Sequence, residues 1–296
     1  MLPHELQSDA PTLESFCQPK KAMLELINET DEIAPMKPNV KEDRHFVTAL
    51  ARGLELLSCF RSGDKLLGNQ ELAERSKLPK STVSRLTYTL TKLGYLQYDD
   101  HLGKYRLGTA TLALGSAMLS KLDIRQLARP MMLELANFSH AMVSLGMRDR
   151  LTMIYVENCR SQAALTLSLD VGARIPIATT AMGRAYLAAV PESERKEILE
   201  RVRETDEAAW PGLHDKVQRS IDEYHELGCC TSFGDWQPDV NAIAIAFRPI
   251  DSTAPLSINC GGPAFNLSPE FLLQEVRPRL LEIVRQLQRP LIGNFN

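Results

Sequence analysis

The sequence has no hydrophobic run long enough to cross a membrane and no secretory signal at its N-terminus. A helix that spans a bilayer needs about 20 consecutive apolar residues. A signal peptide needs a basic start followed by an apolar stretch. Because both patterns are missing, we expect a cytoplasmic protein without membrane contact.

Cysteine is scarce and scattered along the chain. No CxxC pair occurs, so the common zinc and redox spacings are missing, and adjacent cysteines have poor geometry for a mutual disulfide. We therefore expect reduced thiols, as in the cytoplasm, and no metal site. The six cysteines are Cys17, Cys59, Cys159, Cys229, Cys230 and Cys260.

Familiar catalytic motifs are also missing. The sequence contains no GxxxxGK[ST] phosphate loop, no GxGxxG turn, no GxSxG elbow and no HExxH zinc motif. The six histidines are dispersed, and His214 and His225 fit solvated helix positions better than ligand positions. The sequence therefore predicts no catalytic residue, no cofactor and no enzymatic activity.

Charge is distributed unevenly over a chain long enough for two domains. The 296 residues carry a net charge of −3, but residues 44–120 contain 11 Lys+Arg and 6 Asp+Glu, a net of +5. A basic module in an otherwise acidic chain is expected when one domain binds nucleic acid. Residues 1–43 are acidic and polar, which predicts a flexible extension. A role for this extension in docking a partner or shielding the basic module is the alternative.

Residues 67–107 have the pattern of a winged helix-turn-helix. A short helix with Leu72 and Ala73 on its apolar face is broken by Ser76 to Pro79, because proline cannot continue a helix. A second helix follows over about residues 80–93, and residues 95–98 and 104–107 alternate as the strands of a hairpin. The apolar positions expected to face the core from the second helix are Val83, Leu86, Leu90 and Leu93.

The opposite face of the second helix has the chemistry needed to bind DNA. Hydroxyl groups bind phosphate oxygens, and an arginine near the start of a recognition helix can pair with guanine. Lys104 and Arg106 on the returning strand would place a wing along the phosphate backbone. A domain that binds only protein is the alternative. The candidate residues on the helix are Lys80, Ser81, Thr82, Ser84, Arg85 and Tyr88, of which Lys80, with Lys104, would contact phosphates and the others the major groove.

Two further helices are predicted on either side of this motif. Val47, Leu50, Leu54 and Leu57 recur at helical spacing, and we expect this helix to complete a three-helix core. After the wing, an apolar stripe that includes Leu114 continues to about residue 122 and predicts a linker helix. Whether that stripe packs within its own chain or against a second subunit stays open.

Residues 123–290 alternate helices and short apolar strands, which predicts an α+β domain. Strands are expected over 141–147, 151–159 and 163–169, and a last helix begins at Ser268. Within this domain, Thr179 to Gly183 combines hydroxyls and small residues at the start of a helix. The amides and dipole there favour an anion such as a carboxylate. An ordinary helix cap is the alternative.

Six segments carry a resemblance to a known family, namely ALARGLELLSCF, LAERSKLPKSTVSRLTYTLTKLGYL, YRLG, PIATTAMGRAYLAA, GDWQPDVNAIAIAF and INCGGPAF. Over residues 44–290 the chain resembles the IclR (isocitrate lyase regulator) family of bacterial transcription factors. The resemblance implies a winged helix-turn-helix at 44–107, a linker helix at 108–122 and a GAF-like effector-binding domain at 123–290, after the extension at 1–43. Arg184 stands where the family usually has lysine.

The same resemblance implies a function for both domains. A homodimer or tetramer would bind a pseudo-palindromic DNA operator, more often as a repressor, and respond to a small organic acid. A sensor that acts only through protein contacts, or a small-molecule enzyme with a DNA-binding appendage, are the alternatives. The implied effector-binding residues are Met147, Thr179, Thr180, Ala181, Met182, Ser232, Asp235, Trp236, Asn259 and Gly261.

Overall fold

The computed structural model describes residues 45–61, 63–161, 169–249, 252 and 254–288. These residues form two compact units. The first contains residues 45–90 and 98–106, and the second contains residues 91–97 and 107–288. This contact pattern divides the chain differently from the predicted boundary at residue 107. The extension at 1–43 and nearly all of the strand expected at 163–169 lie outside the described residues.

Three helices and a two-stranded hairpin form the predicted winged helix-turn-helix. Lys77 turns the chain between the second and third helices with a left-handed φ of 56°. The carbonyl of Pro79 then accepts from the amides of Thr82 and Val83 and so starts the third helix. The elements are α1 (Thr48–Ser58), α2 (Asn69–Ser76), α3 (Lys80–Lys92), β1 (Leu96–Asp99) and β2 (Lys104–Leu107).

The expected apolar stripe of α1 does not enter the core. Leu50 is 62% exposed, and Val47 and Leu54 are similarly exposed, whereas the buried residues of α1 are Gly53 and Leu56. Helical spacing identifies an apolar face but does not say what covers it. The helix therefore joins the three-helix core through Gly53 and Leu56, and the prediction that the stripe faces this core is wrong.

The core face of α3 is one turn shorter than expected. Val83 and Leu90 are buried, but Leu93 is exposed. The helix ends at Lys92, and Gly94 follows with φ of +78°. Leu93 therefore lies beyond the last regular turn and does not point along the stripe.

The predicted linker helix is α4 (Thr109–Leu119). No residue of α4 is buried in this chain. Its large apolar side chains Leu112, Leu114 and Met118 are all exposed.

The second unit is built on a six-stranded antiparallel sheet with strand order β5-β4-β3-β8-β7-β6. Leu256–Pro263 lies centrally and pairs with a strand on each side, and its residues are buried. The strands are β3 (Met142–Asp149), β4 (Thr152–Arg160), β5 (Arg174–Pro176), β6 (Cys230–Phe233), β7 (Val240–Phe247) and β8 (Leu256–Pro263).

Helices cover both faces of this sheet. On one face, α5 and α10 pack against the sheet around a core that includes Val143, Leu145 and Ile258. On the other, α6 packs on β6, β7 and β8, and α8 packs on α6. The helices are α5 (Asp123–Ser139), α6 (Ala181–Ala189), α7 (Glu192–Thr205), α8 (Trp210–Leu227), α9 (Pro269–Phe271) with a π-helical turn (Leu272–Val276), and α10 (Arg277–Leu287).

Candidate DNA-binding face and effector cavity

The third helix of the first unit presents a polar face to solvent. Val83, Thr87 and Leu90 fix the inner face of α3. On the outer face Thr82 is half-buried, and Tyr88 is 65% exposed. The other predicted base- or phosphate-contacting residues of the helix are also exposed, namely Lys80, Ser81, Ser84 and Arg85.

The wing is tied to the second helix by an ion pair. Lys104 Nζ lies 3.0 Å from Glu71 Oε2. The same carboxylate accepts from the amide of Gly68 at 2.7 Å, and these two contacts lower the pKa of Glu71. Arg106 is exposed on the same strand. Lys104 therefore has a protein partner where the sequence predicted a phosphate contact, and a phosphate would have to compete with Glu71.

A small cavity lies in the second unit between the sheet and the start of α6. The volume open to the centre of a water molecule is ≈ 20 Å³, and about 10–15 Å³ of such volume holds one water. Within the described part of the chain, its wall combines apolar and uncharged polar side chains and has no Asp, Glu, Lys or Arg. The lining residues are Tyr155, Ile175, Thr180, Ala181, Met182, Ser232, Trp236, Val240, Ala242, Asn259 and Gly261.

The start of α6 closes one side of this cavity. The Thr180 hydroxyl caps the helix by accepting from the amide of Gly183 at 3.2 Å. Ala181 and Met182 belong to the first turn, so their N–H groups have no acceptor inside the helix. Ser232 holds the preceding loop, because its Oγ donates to the carbonyl of Thr179 at 3.0 Å.

Three of the ten predicted effector residues do not line the cavity. Met147 packs against the core on the opposite face of the sheet, because it shares the strand face of Val143 and Leu145. Thr179 contributes its carbonyl to Ser232 and does not reach the wall. Asp235 forms ion pairs outside the cavity. The other seven lie together in the wall: Thr180, Ala181, Met182, Ser232, Trp236, Asn259 and Gly261.

Four lining residues were not predicted from the sequence, namely Tyr155, Ile175, Val240 and Ala242. Tyr155 lies on β4 opposite Gly146 of β3. A Cβ on Gly146 would lie 2.4 Å from the sulfur of Met182. Because glycine has no side chain, Met182 can pack directly on this strand. A tyrosine within an apolar strand was the available signal, because a buried hydroxyl needs a polar environment.

The floor of the cavity is polar and buried. Burial raises the pKa of the Tyr155 hydroxyl, and the neighbouring side chains of Asn259 and Ser144 offset that rise only in part. Ser144 and Asn259 face each other on β3 and β8. Tyr155 therefore stays protonated and uncharged at neutral pH.

A buried arginine anchors the loop that carries Trp236. Arg184 is 2% exposed, and its Nη1 donates to Asp235 Oδ2 at 2.7 Å. Lys216 Nζ donates to the other oxygen, Oδ1, at 2.8 Å. Burial raises the pKa of Asp235, but hydrogen bonds from Lys216 and Arg184 outweigh it, so the net pKa is lowered. The cluster connects α6, α8 and the β6–β7 loop.

The described cysteines are all free and buried. Burial is the largest influence on Cys230 and Cys260 and raises the pKa of both thiols. Among the described residues, no three His, Cys, Asp or Glu side chains come together in a way that would hold a metal ion. No helix in the described ranges has the length and apolar character needed to span a bilayer.

Both units match known families. Residues 49–100 match the IclR helix-turn-helix domain, and residues 116–289 match the bacterial transcriptional regulator IclR C-terminal domain. The chain belongs to the IclR family of transcriptional regulators. This result confirms the resemblance drawn from the sequence, together with the predicted fold of a winged helix-turn-helix followed by a GAF-like domain.

Individual members of the IclR family are similar to most of the chain. It is 36% identical to the HTH-type transcriptional regulator TsaQ1/TsaQ2 of Comamonas testosteroni, over 82% of this chain and 87% of that protein. It is 25% identical to the HTH-type transcriptional repressor AllR of Klebsiella pneumoniae, over 81% and 87%. The crystal structure of an IclR family regulator from Brucella abortus has 44% identity and a TM-score of 0.72, over 85% and 95%. These similarities extend across both units.

Proposed function

We propose that this regulator binds a palindromic operator in the cytoplasm as a homodimer and releases it when a small carboxylate occupies the cavity of the second unit. The observation that carries the proposal is the polar outer face of α3, within a helix-turn-helix that matches the IclR family. Repression follows the habit of relatives such as AllR. A gel-shift assay with the DNA upstream of its own gene is the direct test.

Base recognition is assigned to the N-terminal half of α3. The hydroxyls of Ser81 and Ser84 and the guanidinium of Arg85 lie on its exposed face. A bidentate arginine contact to guanine is the commonest specific contact in the major groove. Arg85 is therefore the residue proposed to read sequence, and Lys80 and Lys104 are proposed to position the helix through phosphates.

Substitution of Arg85→Ala is expected to weaken operator binding by about 1–3 kcal/mol and to relax sequence preference at one base pair. The measurement is fluorescence anisotropy with the operator and a set of single-base variants. A loss that is equal for all sequences would show that Arg85 contacts phosphate instead.

Lys104→Ala is the comparison variant for Arg85→Ala. A phosphate contact carries no base information, so affinity should fall uniformly across the same DNA set and the salt dependence should decrease. Glu71 loses its 3.0 Å partner in this variant. Thermal unfolding of the variant therefore has to be measured in parallel.

Two apolar faces support the homodimer. One face is formed by Leu50 and Leu54 of α1 with Val47 just before the helix, and the other by Leu112 and Leu114 of α4. All of these side chains are large and exposed. Apolar groups of this kind on a soluble protein commonly mark a protein–protein interface. A palindromic operator presents two half-sites, so two copies of α3 are required. We propose that a second copy of the chain covers these faces.

Leu54→Glu is expected to convert the dimer to a monomer, because a charge would be buried at the interface without a partner. Sedimentation velocity measures the change, and operator affinity should fall with it. Phe265→Glu is the control, since Phe265 is a still more exposed apolar residue on a loop of the second unit. Monomer formation in neither variant, or in both, would contradict the assignment of α1 to the interface.

The effector is proposed to bind where the first turn of α6 meets the sheet. The free N–H groups of Ala181 and Met182 and the helix dipole favour an anion there. None of the described residues that line the cavity is charged, so neutral donors would have to bind the carboxylate. Effector binding would shift the protein toward a conformation with lower affinity for the operator, and the DNA would then be released.

A further inference from the structure

The returning strand of the wing is bonded to the chain just before α2. The amide of Leu67 donates to the carbonyl of Tyr105 at 2.9 Å, and the amide of Tyr105 donates to the carbonyl of Leu67 at 2.8 Å. This antiparallel bridge places Lys104 beside Gly68. The alkyl chain of Lys104 crosses Gly68, because a Cβ added to Gly68 would lie 3.8 Å from Lys104 Cγ. Backbone pairing therefore fixes the base of the Lys104 side chain at the start of α2.

The carboxylate of Glu71 occupies a position that suits a phosphate oxygen. Its Oε2 lies 3.0 Å from Lys104 Nζ and accepts from the amide of Gly68 at 2.7 Å. Lysine side chains and backbone N–H groups at helix starts are among the groups that bind DNA phosphates. Glu71 therefore engages from within the chain two donors that a DNA backbone could use.

This ion pair lies at the edge of the face proposed to read DNA. Asn69 is two residues before Glu71, and its Nδ2 lies 3.5 Å from the hydroxyl oxygen of Ser84 on α3. The side chains of Lys104 and Glu71 are 40% and 44% exposed. Exposed ion pairs are weak, so a phosphate that approaches this edge can displace the carboxylate from the lysine.

We propose that Glu71 competes with the DNA backbone for Lys104 and thereby limits the affinity of the winged helix for DNA of any sequence. This inference rests on the proposed phosphate contact of Lys104 and assigns the residue that opposes it. To contact a phosphate, Lys104 has to leave Glu71. The carboxylate then remains unpaired beside a negatively charged backbone. The broken ion pair and the repulsion both weaken the complex.

Glu71→Gln in the full chain is the test. Glutamine has no charge, but its oxygen can still accept from the amide of Gly68, as it does in capping boxes. Fluorescence anisotropy measures binding to the DNA upstream of its own gene and to a scrambled duplex of the same composition. We expect both duplexes to bind about two- to fivefold more tightly at low salt. Unchanged binding overturns the proposal. Weaker binding also overturns it, because Glu71 would then orient Lys104 for DNA.

The salt dependence is a second readout of the same titrations. In the native complex the freed Glu71 carboxylate offsets part of the charge that Lys104 brings to the phosphates. Its removal should therefore make the slope of log affinity against log salt concentration steeper, by up to about one. A shallower slope in Glu71→Gln contradicts the proposal.

Glu74→Gln is the matched control for loss of one negative charge. Glu74 is an exposed residue one turn further along α2, and it accepts from Gln70 Nε2 at 3.1 Å. We expect this variant to gain less affinity than Glu71→Gln, because Glu74 does not hold the lysine of the wing. Equal gains in the two variants would mean that only net charge matters, and the proposal would be wrong.

A double-mutant cycle with Lys104→Ala tests whether Glu71 acts through this lysine. In the Lys104→Ala background, the gain from Glu71→Gln should fall to that of Glu74→Gln. An undiminished gain overturns the proposal. If Lys104→Ala binds DNA as the native chain does, the phosphate contact and this inference both fail. If it binds more weakly but Glu71→Gln brings no gain, only this inference fails. Thermal unfolding of every variant verifies that the winged helix stays folded.

Discussion

Asp235→Ala is expected to lower the free energy of unfolding of the second unit by about 3 kcal/mol, at the low end of the range for breaking a buried ion pair. Arg184 is 2% exposed, and a guanidinium group is charged in proteins at any ordinary pH. After the substitution it retains only the carbonyls of Ala178 and Thr231. A buried cation without a carboxylate costs far more than the lost contact itself. Urea unfolding monitored by tryptophan fluorescence measures the effect, because Trp210 and Trp236 both lie in this unit.

Lys216→Ala removes the other ion pair of the same carboxylate and is the matched control. Lys216 is about half exposed, so the expected loss is below about 1 kcal/mol. Because the native pKa of Asp235 is lowered, its contribution is fully present above the ordinary value of 3.8 and is lost as the pH falls through the native pKa. The difference between Asp235→Ala and the native protein should therefore shrink at strongly acidic pH. If both variants lost the same free energy of unfolding at neutral pH, burial of the Arg184 charge would not be the cause of the destabilisation in Asp235→Ala.

Gly183→Ala is expected to destabilise the second unit by about 3 kcal/mol, at the upper end of the cost of overpacking. A Cβ at this position would lie 2.0 Å from the carbonyl oxygen and 2.4 Å from the Cα of Ile177. Both atoms belong to the backbone, so no side-chain rotation relieves the clash. The first turn of α6 would have to move away from the loop before it, and the effector cavity would change shape with it.

The control for Gly183→Ala is a glycine in a helix with open space around it. Gly212 lies in α8, and a Cβ added there would meet no heavy atom within 4 Å. Alanine at this position is expected to raise stability by up to about 1 kcal/mol, because alanine has the higher helix propensity. Thermal and urea unfolding of both variants should shift in opposite directions. If both variants shifted in the same direction, helix propensity rather than the contact with Ile177 would determine the effect of alanine at position 183.

Local pattern was sufficient for most of the secondary structure. The turn before α3 depends on short-range sterics. Pro79 restricts the backbone of the residue before it, Lys77 adopts a left-handed conformation, and the carbonyl of Pro79 accepts the first hydrogen bonds of the helix. The cap at Ser268, which accepts from the amide of Phe271, is equally local. Local sequence indicated Thr180, Ala181 and Met182 at the start of α6. The family resemblance added Ser232, Trp236, Asn259 and Gly261, so that seven of the eleven cavity residues were predicted.

What the sequence determined about this protein is a winged helix-turn-helix with a basic, hydroxyl-rich helix, joined to an α+β domain. Helical period, turn residues and charge are local properties of the chain, so they can be determined from the sequence alone. Tertiary structure alone decided which faces are covered. It left Leu50 and Leu54 exposed, moved Met147 to the opposite face of the sheet and brought Tyr155 beside Asn259. Burial and pairing depend on residues distant along the chain, and a periodic pattern does not contain that information.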